Sequence, residues 1–198
     1  MKSHRNSLVY KAGRYVTRLL LDELPKHCTF HGVQHTFNVV KGVRVIGKAE
    51  GLAKKDIQLL MIAAWFHDTG HIDTYNDHEK FSASIAREFL MERNCPKQKI
   101  DIIEACIQAT KMPQNPRTLM EKVICDADLY HLSFPTYENY QQLLREEWKV
   151  VLGKDYSNEE WNQLNDSFLQ NHSYFTHYGK TILEPKKWIG PAEFEAKK

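Results

Sequence analysis

The sequence predicts an all-α protein built as one helical bundle. Three observations predict it. Apolar residues recur at helical spacing in nearly every segment, capping signals and prolines punctuate those segments, and no window sustains the two-residue alternation of a strand. At 198 residues the chain fits one domain and can bury a core without staples. With 42% hydrophobic and 26% charged residues its composition is globular rather than disordered.

The elements follow in order. Leu8, Val9, Val16, Leu19 and Leu20 form a helical stripe that Pro25 stops. A second helix runs from Val33 to about Ala49, with Val39, Val40, Val43 and Ile46 apolar. Asp56 is placed to cap a third, whose body Ile57–Phe66 is apolar nearly all round, as a buried central helix is. Gly70 breaks the pattern. A fourth helix spans Asp77 to about Arg93, with Phe81, Ile85, Phe89 and Leu90 on one side. Pro96 suits the first turn of a fifth, which carries Ile100, Ile103 and Ile107. After the loop at Pro113–Pro116, Thr118-x-x-Glu121 reads as a capping box opening a sixth helix. Three more segments are expected: Tyr137–Leu152, Glu159–Asn171 behind a second capping box at Ser157-x-x-Glu160, and Phe175–Leu183. Residues 1–190 thus read as one domain, with a core over about 8–132, a helical extension over about 136–190 and a flexible tail at 191–198.

Composition also excludes partners. A net charge of +2 with scattered Lys and Arg carries no strong nucleic-acid signal. No run of roughly 18 apolar residues spans a membrane. The N-terminal stretch lacks the apolar run of a signal peptide, so the expected address is cytoplasmic. Cys28, Cys95, Cys106 and Cys125 form no C-x-x-C pair and read as reduced, mostly core thiols.

Against this background the polar residues at the ends of apolar helices stand out. His67 and Asp68 directly follow the most apolar helix, Asp128 sits in Val-Ile-Cys-Asp-Ala-Asp-Leu, and His35 opens the second helix. A buried charge or imidazole at such a place must be paired or must bind a metal. Two imidazoles with two carboxylates suit a divalent ion, whether manganese, iron, cobalt, nickel, zinc or magnesium.

The order His35, His67-Asp68, Asp128 resembles the H…HD…D signature of the HD-domain superfamily of metal-dependent phosphohydrolases. The surroundings are similar too: His35-Thr at a helix start, Ala-Ala-Trp-Phe-His67-Asp68-Thr-Gly-His71, and Cys125-Asp-Ala-Asp128-Leu. Within the superfamily the chain resembles the small single-domain predicted phosphohydrolases, in which a Tyr-x-Thr element, here Tyr174-Phe-Thr176, follows near the C-terminus. The resemblance implies an HD-like bundle with one metal ion, or two, at its centre. It makes His35, His67, Asp68 and Asp128 the ligands and implies hydrolysis of a phosphoester, often of a nucleotide or another small phosphorylated molecule. Asp126 is the rival to Asp128, but it lies about 200° away on an ideal helix.

Further roles are expected nearby. His71 is placed to act as general acid or base beside the catalytic Asp68, or equally to stand as a supporting residue. Glu79 could reach a metal-bound water, and His78 and Lys111 could meet substrate phosphate, although Glu at a helix start and Lys at a helix end are also ordinary dipole partners. Several relatives carry a histidine where this chain has Thr110, which argues against a second ion. The alternative to an enzyme is a non-catalytic nucleotide or metal sensor that acts through a partner.

Overall fold

The computed structural model describes residues 7–187. It is all-helical, as expected, and among the described residues there is no strand. The helices are α1 (Leu8–Glu23), α2 (Val33–Ala49), α3 (Lys54–Phe66), α4 (His78–Met91), α5 (Lys97–Ala109), α6 (Leu119–Asp128), α7 (Tyr137–Val151) and α8 (Asn158–Asn171). Short 3-10 turns at Thr69–Ile72 and Leu129–Ser133 follow α3 and α6. The tail at 191–198, and the stretch 188–190 before it, lie outside the described residues.

Local chemistry sets most boundaries. Ser7 accepts from the Tyr10 backbone amide and caps α1. Both capping boxes form, Thr118 with Glu121 and Ser157 with Glu160. Three expectations are corrected. Asp56 does not cap α3, which begins two residues before it at Lys54, so Asp56 sits in the first turn. Pro96 precedes α5 as its N-cap rather than joining the first turn. The segment expected to be helical from Phe175 begins later: residues 172–176 are irregular, and helix resumes at 177 and widens into a π-helical turn at Gly179–Leu183.

The core is layered around α3. That helix packs on α1, α2 and α5, while α2 also packs on α6 and α4 on α5. Val39, Val43, Ile46, Leu60, Ala63, Phe66, Ile103 and Ile124 are fully buried between them. Two close approaches bring the polar residues together. At Gly42, a Cβ would lie 3.0 Å from the Ala127 side chain, so α2 and α6 nearly touch. At Gly70, a Cβ would lie 2.0 Å from the His78 carbonyl oxygen, so only glycine lets the turn after α3 meet the start of α4. The Gly70 amide also donates to Ser82 Oγ at 2.8 Å. On α4 the buried side is Ser82, Ala83, Ala86, Phe89 and Leu90, whereas Phe81 is exposed.

Candidate metal centre

Three helix ends converge. His35 lies in the first turn of α2, His67 and Asp68 follow α3 directly, and Asp128 is the last residue of α6. His35, His67 and Asp68 are buried, and Asp128 is half-buried at the edge of a cavity. His35 Nε2 lies 3.1 Å from Asp128 Oδ1 and 3.3 Å from Asp68 Oδ2. His67 Nε2 lies 3.0 Å from Asp68 Oδ2, 3.3 Å from Asp128 Oδ1 and 3.2 Å from His35 Nε2.

Hydrogen bonds alone do not satisfy this arrangement. His67 Nδ1 is 2.9 Å from the Ala64 carbonyl oxygen, which can only accept, so that nitrogen carries a proton. One remaining nitrogen, Nε2, then faces two carboxylates and another imidazole nitrogen at once. Asp68 Oδ2, although buried, makes no hydrogen bond. A cation among the four atoms resolves the conflict. Ligands bound at ~2.1 Å and at right angles stand about 3.0 Å apart, close to the separations found. The donors fit a divalent ion: His35, His67 and Asp128 form one group that could hold it, with Asp68 beside them, and Asp68 also forms a second such group with His31 and His71.

The electrostatics agree. Burial alone would depress the imidazoles, but Asp68 and Asp128 outweigh it, raising His35 and holding His67 well above the usual histidine range. Burial would raise the two carboxyls, yet the imidazoles hold both far below theirs. The site thus keeps two negative charges that attract either protons or a metal ion.

A family model for the HD domain matches residues 32–133, just over half of the chain. The chain belongs to the HD-domain family. The family is one of metal-dependent phosphohydrolases, and its matched region contains all four converging residues. No curated protein and no solved structure gives a significant match.

The other residues singled out in the sequence divide. His71 and His78 reach the HD centre and stack at a ring separation of 3.8 Å. His78 Nε2 is 3.3 Å from Asp68 Oδ1, while His78 Nδ1 lies 3.3 Å from the Tyr75 carbonyl oxygen. His71 is buried with both ring nitrogens unpartnered, and burial together with the nearby His31 pushes it down to about 2. Together with His31 and Asp68 it could hold an ion. Glu79 is buried, and its carboxylate lies 3.7 Å from His78 Nε2. Lys111 does not reach the cavity. It is exposed and pairs with Asp77 across the surface. Thr110 is buried and donates to the Ile107 carbonyl oxygen.

Asp126 is not a ligand. Its carboxylate accepts from the Phe175 amide at 2.8 Å, the Thr176 amide at 2.9 Å and the Thr176 hydroxyl at 2.6 Å. The Tyr174-Phe-Thr176 element thus clasps α6 two residues before Asp128, and Tyr174 Oη donates to the Leu129 carbonyl oxygen.

The sequence reading missed a second pair. His31 lines the cavity, stacks 4.3 Å from His71, and bonds through Nδ1 to Glu147 of α7. The Glu147 side chain is fully buried. It also accepts from the Phe30 amide at 2.8 Å, the His31 amide at 3.2 Å and Tyr75 Oη at 2.8 Å. Burial would raise this carboxyl, but His31 and the other donors hold it below the usual range. The signal for His31 was its place four residues before His35. Glu147, 116 residues further on, gave none.

Proposed function

We propose that the chain hydrolyses a phosphoester bond of a small phosphorylated molecule with the help of a divalent ion. The observation that carries this reading is the convergence of His35, His67, Asp68 and Asp128 at one end of a cavity large enough for a substrate. When bound, the ion supplies a Lewis acid for a phosphoryl oxygen and lowers the pKa of a water.

The remaining roles fall to the chain itself. His35, His67, Asp68 and Asp128 hold the ion. His78 fixes Asp68 through its second oxygen, and Glu79 reaches the same cluster through His78. His31 is placed to protonate the departing alcohol. Glu147 holds a proton on Nδ1 and fixes the ring, and as an imidazolium His31 would give its second proton, on Nε2, to the alcohol oxygen and be left as the neutral Nδ1–H form. The alternative of a sensor predicts a bound ion with no turnover.

The test is phosphate release from a panel of phosphomonoesters and diesters, nucleotides among them, with manganese, cobalt and magnesium in turn. Wild type should turn over and Asp68→Ala should not, with the helical circular dichroism of the variant unchanged. Equal activity in Asp68→Ala refutes the assignment. A bound ion without turnover on any ester selects the sensor.

A further inference from the structure

The HD centre opens into a cavity of about 610 Å³ whose far wall is not part of the family match. His31, His35, His71, His78 and Asp128 stand at one end. The opposite wall comes from α7 and α8, through Leu144, Trp148, Trp161, Leu164 and Phe168. A volume of this size encloses a drug-sized organic molecule and far exceeds a lone phosphate. The Trp148 and Trp161 rings pack edge to face at 5.7 Å, and Tyr156 lies against Trp161 at the same separation.

The lining constrains charge. Among the described residues, no Lys or Arg lines the cavity. A phosphoryl group at the metal end meets the ion and the histidines. A second or third phosphate would have to enter the apolar wall without a counter-charge, which is strongly unfavourable. The wall also carries Gln141, Asn165, Ser167 and Asn171. Asn165 is already committed, accepting from Tyr137 Oη and donating to the Trp161 carbonyl oxygen, and Asn171 donates to the Ser167 carbonyl oxygen.

Resting on the hydrolase reading above, we propose that the α7–α8 wall is the leaving-group subsite. The substrate it selects carries one phosphoryl group esterified to a bulky, flat, apolar alcohol. The water oxygen bonds to phosphorus, the bond from phosphorus to the alcohol oxygen breaks, and that oxygen takes a proton. The products are the free alcohol and a phosphate, or a phosphomonoester if the substrate is a diester. Sugar phosphates and nucleoside triphosphates are rejected, the first for their polar leaving groups and the second for their extra charges.

The experiment uses the full chain. Manganese-loaded protein is assayed with methyl phosphate, glucose 6-phosphate, ATP, phenyl phosphate, 1-naphthyl phosphate and 6-quinolinyl phosphate. Separately, calorimetric titration of the metal-free protein with 1-naphthol and 6-quinolinol reads the subsite without catalysis. Phenyl phosphate, whose leaving group matches naphthol in acidity, is the reference: the expected kcat/KM for naphthyl over phenyl phosphate is about tenfold or more, as burial of a second fused ring predicts. ATP and glucose 6-phosphate should be no better than methyl phosphate. Leu164→Ala should weaken 1-naphthol and 6-quinolinol alike by about tenfold, as loss of apolar wall predicts. Turnover without preference for the naphthyl ester, or no saturable naphthol binding, overturns the subsite. Naphthol binding with no turnover of any ester overturns the hydrolase reading and leaves the subsite standing.

Discussion

Replacing Glu147 with glutamine keeps the shape of the side chain and removes its charge. The carboxylate accepts four hydrogen bonds, two from the Phe30 and His31 amides on one oxygen and two from Tyr75 Oη and His31 Nδ1 on the other. In Glu147→Gln the amide oxygen can keep the backbone pair. The amide nitrogen then faces Tyr75 and His31, so the hydroxyl must turn away and the imidazole must carry its proton on Nε2. A hydrogen bond to a charged group is worth roughly 1 kcal/mol more than a neutral one, and four are affected. Relief of the carboxylate's own desolvation offsets part of that sum. The net loss should be about 2–3 kcal/mol at pH 7, which lowers Tm by roughly 4–12 °C in a chain of this length. Since the folded carboxyl lies below its ordinary 4.5, its contribution is complete above that pH and fades as pH falls through the lower folded value. The melting gap should therefore close in acid. Turnover should fall by roughly 10²–10⁴, because the ring loses the partner that fixes its proton. Thermal melts from pH 3 to 8, beside kinetics at pH 7, check both parts. Equal melting temperatures at pH 7, or a gap that widens in acid, refute the reasoning.

Three further outcomes are expected. A divalent ion at a hundredfold excess over its Kd should stabilise the fold by about 2.7 kcal/mol. The corresponding rise in Tm is roughly 5–11 °C, reversed by a chelator and absent in His67→Ala, which differential scanning calorimetry reads directly. Gly70→Ala drives a methyl group into the His78 carbonyl oxygen, so it should cost about 1–3 kcal/mol or more and lower metal affinity as the turn shifts, seen by denaturant titration and metal binding. Asp126→Asn turns an acceptor into a donor against the Phe175 or Thr176 amides, which should cost about 1–3 kcal/mol and speed hydrogen exchange in residues 174–179 with the bound ion retained.

Much of the fold was legible because helices advertise themselves locally. The capping boxes at Thr118 and Ser157, the stop at Pro25 and the all-apolar α3 each depend on residues a few positions apart. The errors share a cause. Asp56 has the chemistry of a cap, but α3 starts at Lys54 after an extended Ala53. Phe81 has the size of a core residue, yet α4 turns its small face of Ser82, Ala83 and Ala86 inward so that Gly70 can press against its backbone. In both places the packing of the whole decides against local preference. The convergence of His35, His67, Asp68 and Asp128 was legible because their motif is a pattern of residue types on known elements. His31 was visible yet unread, and Glu147 was invisible, because nothing local to a glutamate in an amphipathic helix says that its side chain will be fully buried against the start of α2.

That division separates chemistry from selectivity. Of the residues that could hold an ion, His35, His67, Asp68, His71 and Asp128 lie within the matched span 32–133, and His31 lies one residue before it. The groups that surround a bound molecule away from the ion come from α7 and α8, beyond that span. The extension also returns to the core at several points, among them Glu147 on His31, Tyr140 on Asn38 and Thr176 on Asp126, which tie its position to the centre. A cavity wall fixed in this way is rigid relative to the ligands. On the proposed reading, substitutions on the cavity side of α7 and α8 change which ester is cleaved, through kcat/KM ratios between substrates, and leave metal affinity alone. Substitutions of the four converging residues do the reverse. A variant such as Leu164→Ala that altered metal affinity as much as ester preference would show that the two parts are not separable.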